Sequence, residues 1–132
     1  MIILSVVTIG FTFGCKKSKV NKSPNADYIF RGIVKSEKTS DPIKNIRVTI
    51  ENFGNKAINT NDVGVYDLEY YNVDITTDWY FKFEDIDSTQ NGLFENKDTL
   101  ITLNSGFLHD YDGNGYSGRI ESDIIITLKS KN

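Results

Sequence analysis

Apolar and polar side chains alternate along much of this chain. In residues 46–51, Ile46, Val48 and Ile50 fall on one side of an extended backbone, and Arg47, Thr49 and Glu51 fall on the other. Residues 65–71 repeat the pattern, with Tyr66, Leu68 and Tyr70 against Asp67 and Glu69. Residues 78–84 set Trp79, Phe81 and Phe83 against Tyr80, Lys82 and Glu84. The stretch YIFRGIVKS (28–36) places Tyr28, Phe30 and Val34 against Ile29 and Ile33, a strand expected to be buried on both faces or nearly so. DTLITL (98–103) and SDIIITLK (122–129) are rich in β-branched residues, and KAINT (56–60) adds a short strand. EKTSDP, ending at Pro42, and NDVG (61–64) have turn composition. No stretch of ten or more residues carries helical spacing. About seven strands in one chain predict an all-β, two-sheet sandwich.

The first fourteen residues break this pattern. MIILSVVTIGFTFG carries no charge and stops at Cys15, Lys16 and Lys17. As a helix it would reach about 21 Å, short of the roughly 30 Å hydrocarbon core of a bilayer, so it reads as a signal-peptide apolar region. The alternative is a buried N-terminal strand followed by an inert Cys. Gly14 directly before the lone Cys15 resembles the lipobox of bacterial lipoproteins, which implies a thiol that carries lipid once the segment before it is removed. Residues 16–25, KKSKVNKSPN, hold four Lys and one Pro and read as a tether. The expected organisation is therefore a signal peptide over 1–14, a lipidated Cys and tether over 15–25, and a β-domain over 26–132. Basic residues after Cys15, in place of the acidic cluster that resembles surface-export signals in Bacteroidetes, point to the outer membrane with the domain facing the periplasm.

Composition narrows the function classes. A chain of 132 residues with 39% hydrophobic content, eight Phe and seven Tyr supplies one domain with one core. A net charge of −3 offers no basic surface for nucleic acid. A single Cys allows no internal disulfide, and His109 is the sole His, beside a polar turn with no Cys partner once Cys15 is acylated. Catalysis is not expected.

RGIVKSEKTSDPIKNIRVTIEN followed by NTNDVGVYDLEY resembles the carboxypeptidase-regulatory-like and transthyretin-like domains, through Gly32, Val34, Pro42, Ile43, Val48, Thr60, Gly64 and Tyr66. The chain after Cys15 is also similar to the lipoproteins of Bacteroidetes associated with radical-SAM genes. Pro24 to Tyr28, Pro42-Ile43 and the Asp-Ile-Asp loop before Asn91-Gly92 carry that likeness. The resemblance implies an envelope location and a seven-stranded immunoglobulin-like sandwich, and implies no defined activity.

Two loops offer metal chemistry. In HDYDGNGYSGRIE, counting Asp110 as position 1 puts Asp112 at 3, Asn114 at 5, Gly115 at 6, the Tyr116 carbonyl at 7 and Glu121 at 12, the spacing by which a wound loop converges oxygens on calcium. The flanks look like loop and strand, so a helix–loop–helix hand is not expected. The choice lies between a calcium loop joining strands and an ordinary turn with solvated carboxylates. A weaker twin, Asp85, Asp87 and Asn91, belongs to a stretch (83–103) that aligns without gaps with 108–128. Tyr70, Tyr71 and Tyr80 are the candidate aromatic contacts for a sugar or peptide, with Trp79 expected in the core. The resulting expectation is a binding or structural module held by lipid at Cys15, with an envelope protein or glycan as partner. The runner-up is an accessory subunit for carbohydrate or peptide capture.

Overall fold

The computed structural model describes residues 24–87, 89–90, 92–104 and 115–131. Seven strands form: β1 (Asn25–Ser36), β2 (Ile46–Ile50), β3 (Lys56–Asn59), β4 (Val65–Asp74), β5 (Asp78–Asp85), β6 (Lys97–Thr102) and β7 (Tyr116–Leu128). They build a three-stranded sheet, β4-β1-β7, and a four-stranded sheet, β3-β2-β5-β6. The expected all-β sandwich is what the chain adopts.

Each alternating segment turns its apolar row inward. Ile46, Val48, Ile50, Tyr66, Leu68, Trp79, Phe81 and Phe83 are all buried, while Arg47, Asp67 and Tyr80 are exposed. Trp79 is the hub of the core. Its ring lies 4.3 Å from Phe53, 4.6 Å from Tyr28, 4.7 Å from Phe30 and 5.5 Å from Tyr70, and its Nε1 donates to the Thr76 carbonyl at 3.2 Å. β1 is buried on both faces from Ala26 to Phe30, but from Arg31 onward its outer face opens to solvent.

Direction alternates strictly from strand to strand, so β1 and β7 run the same way and pair in parallel, from Asn25↔Tyr116 to Ser36↔Leu128. The strand expected from Ser122 therefore starts six residues earlier. Twelve residues of β1 offer a partner along the whole length, and the ladder holds Ser117–Glu121 extended although their own alternation is poor.

Two poles result. Asn25, Asp74, Asp78, Thr102 and Tyr116 lie at the pole where β1 begins; Ser36, Val65, Asp85, Lys97 and Leu128 lie at the far pole. At the far pole Thr60 is a buried junction. Its Oγ1 donates to the Ile43 carbonyl at 2.7 Å and accepts the Ile46 N–H at 2.9 Å. The turn that follows closes at Gly64, whose φ of 72° a side chain would resist. Thr60 and Gly64, part of the sequence likeness noted above, thus hold the β3–β4 connection, which crosses from one sheet to the other, against Ile43 and the start of β2.

Candidate functional site

Alternation separates the three candidate tyrosines. Tyr70 faces inward, 8% exposed, among Phe30, Phe53 and Trp79, with Lys56 Nζ 5.3 Å above its ring. Burial pushes its hydroxyl pKa up to about 12. It is a core residue and is withdrawn as a ligand contact. Tyr71, one position on, points out from the β4-β1-β7 sheet and donates to Glu69 Oε2 at 2.7 Å. Tyr80 points out from the other sheet, 48% exposed, directly across from Leu100. Tyr71 and Tyr80 are on opposite outer faces, so no common platform exists. What remains is Tyr80 with Leu100 beside a recess of about 180 Å³ bordered by Glu51, Asp98 and Thr99.

The Asp85 loop joins β5 to β6 at the far pole. Asp85 Oδ2 accepts the Phe94 N–H at 3.0 Å and Oδ1 accepts the Asp87 N–H at 3.4 Å. Asn45 Nδ2 donates to Asp87 Oδ2 at 3.4 Å. Burial is the main cause that raises the Asp85 pKa, and the neighbouring Asp87 adds to it. Both Asp85 oxygens thus accept backbone N–H groups, which is the work of a turn-forming carboxylate. Among the described residues no group of three or more His, Cys, Asp or Glu gathers as metal ligands. Asn91 lies outside the described residues.

The Asp110 stretch falls between Thr102, the end of β6, and Tyr116, the start of β7, and both of these strand ends are at the pole opposite Asp85. Asp110, Asp112 and Asn114 lie outside the described residues, as do His109 and Cys15. Tyr116 and Glu121 are both within β7, paired with Asn25 and Ile29. Those partners are four positions apart on β1, about 13 Å at strand rise, whereas calcium ligands sit roughly 2.5 Å from the ion. Glu121 cannot close a loop on an ion that the Tyr116 carbonyl also holds, because the pairing with β1 keeps this stretch extended. Its carboxylate lies 3.7 Å from Arg119 Nη1 instead.

One recess had no signal in the sequence. At the far pole Glu37, Glu95, Asn96, Lys97, Thr127 and Lys129 border a space of about 230 Å³, and Lys97 Nζ donates to the Thr127 carbonyl at 3.3 Å. It assembles from three segments that are far apart in the chain, so no local motif announces it. Compared with known proteins, the chain matches no protein-family model and no curated protein.

Proposed function

We propose that the chain is a lipid-anchored module of the bacterial cell envelope that binds or scaffolds a partner and does not turn over a substrate. The order of the sequence carries this reading: an uncharged run to Gly14, then Cys15, a lysine-rich stretch, and a sandwich whose described core runs from Ala26 to Leu128. Residues 16–24 span at most about 30 Å when extended. Because β1 starts at the pole of Asn25, opposite the far pole, lipid on Cys15 would hold that pole toward the bilayer and turn the far pole away. Cys15→Ser is expected to leave an unprocessed precursor and to abolish incorporation of an alkyne fatty acid; unchanged labelling would overturn the reading. The domain is proposed to face the periplasm from the outer membrane.

Calcium is proposed as a stabilising ion at Asp110, Asp112 and Asn114, with Glu121 no longer among its ligands. An ion that binds the folded form alone stabilises it by about 2.7 kcal/mol at a hundredfold excess over Kd. A calcium titration followed by melting should show a rise that Asp112→Ala abolishes and Glu121→Gln leaves in place. Indifference to both calcium and chelator would make the loop an ordinary turn.

The second reading, capture of a sugar or peptide, is favoured by the half-exposed Tyr80–Leu100 pair on an otherwise polar face. Glycan and peptide arrays separate it from a purely structural role.

A further inference from the structure

The sheet β4-β1-β7 has one strand fewer than the sheet it covers, and the shortfall falls on the β7 side. At the opposite side the sandwich is closed, where Lys56 Nζ donates to the Glu69 carbonyl at 2.7 Å and β3 approaches β4. On the β7 side the inward-facing Ile120 and Ile124 of β7, and Ile101 and Leu103 in and after β6, are only half-buried against the core.

The bonding along β7 locates the vacancy residue by residue. Glu37 N–H donates to the Leu128 carbonyl at 2.9 Å, so the even-numbered residues of this part of β7 point their backbone groups at β1. The odd-numbered ones point away. At the far pole these are taken: Glu95 N–H donates to the Lys129 carbonyl at 2.8 Å, Lys131 N–H donates to the Leu93 carbonyl at 2.9 Å, and Lys97 Nζ bonds the Thr127 carbonyl. Below Thr127, among the described residues, no strand takes up the same row at Arg119, Glu121, Asp123 and Ile125.

We propose that this edge, from Arg119 to Ile125, receives an extended segment of another protein as a fourth strand of the sheet, antiparallel to β7 and continuing the line that residues 93–95 begin. Strand addition to an open edge draws affinity from main-chain hydrogen bonds and selectivity from alternate side chains. The chemistry of the guest follows from those alternate positions. Its inward row is apolar, to cover Ile101, Leu103, Ile120 and Ile124. Its outward row is basic where it meets Asp123 and Glu121, exposed on the outer face, with Glu121 shared between the guest and Arg119, whose Nη1 is 3.7 Å from the Glu121 carboxylate. A second copy of the whole domain fits poorly, because the wider four-stranded sheet would meet its counterpart beneath the seam.

The experiment is amide hydrogen exchange on the full chain in detergent, with two synthetic probes, Val-Lys-Val-Lys-Val-Lys-Val and the same peptide with Glu for Lys. The expected result is rapid exchange at Glu121, Asp123 and Ile125 in the free chain, and saturable slowing by the lysine peptide. Its preference over the glutamate peptide should be on the order of tenfold, and Glu121→Lys with Asp123→Lys should reverse it. Slow exchange at these amides without any peptide would mean that the chain covers its own edge, and would overturn the proposal. Equal slowing by both peptides, or slowing elsewhere only, would overturn it as well. The outcome is independent of lipid at Cys15, which this experiment does not use.

Discussion

Gly32→Ala is expected to destabilise the domain by about 3–5 kcal/mol, a large part of the 5–15 kcal/mol that typically holds a small domain together. Gly32 is in the middle of β1, opposite Tyr66 on β4 and Ile124 on β7. The Tyr66 ring crosses over it so that its hydroxyl donates to the Ile124 carbonyl at 3.1 Å. A Cβ at this position would collide with that carbonyl oxygen and stand 2.5 Å from the Tyr66 hydroxyl oxygen. Backbone on one side and a buried ring on the other leave no direction in which to yield, so the three-stranded sheet must distort. Tyr66→Phe removes the hydrogen bond and keeps the ring, and is expected to cost about 1 kcal/mol. Urea unfolding of the two variants checks the ratio; an alanine as mild as the phenylalanine would mean that the ring does not pack on Gly32.

Trp79→Ala is expected to cost about 3–5 kcal/mol, because the indole touches four other rings and a small side chain would leave a cavity between the sheets. Tyr80→Ala, the next residue on the same strand, should change stability by no more than about 0.5 kcal/mol, since its side chain stands on the outer face. Trp79 is the sole Trp, so thermal melting must be followed by circular dichroism. The same Tyr80→Ala protein serves the array screen: unchanged stability with lost ligand would assign Tyr80 to capture. Similar losses for the two variants would contradict the inward and outward assignment of β5.

Much of this architecture was legible in the chain because a strand's alternation is local. Ile46, Val48 and Ile50 declare their common face within five residues, and so do Trp79, Phe81 and Phe83, whatever they pack against. The same rule already grouped Tyr70 with Tyr66 and Leu68, which is why it ends in the core and not beside Tyr71. Reading Tyr70, Tyr71 and Tyr80 as one set of contacts ignored the period of two.

Loop chemistry was less legible. Asp-x-Asp spacing is shared by ion-binding loops and by turns whose carboxylates accept neighbouring N–H groups. Only the positions of the Phe94 and Asp87 amides distinguish these for Asp85.

The sequence alone determined the strand content, the inward face of each strand and the turns, since these depend on neighbours a few residues apart. Tertiary structure alone decided that β7 pairs in parallel with β1, across 91 to 92 positions of chain from Asn25↔Tyr116 to Ser36↔Leu128. That pairing draws Glu121 into a strand, separates the strand end before the Asp110 stretch from Asp85 by the length of the sheet, and makes β7 the outermost strand of its sheet among the described residues. The physical reason is that strand partners are chosen by which apolar faces can be buried together, a property of the whole chain that no short window contains.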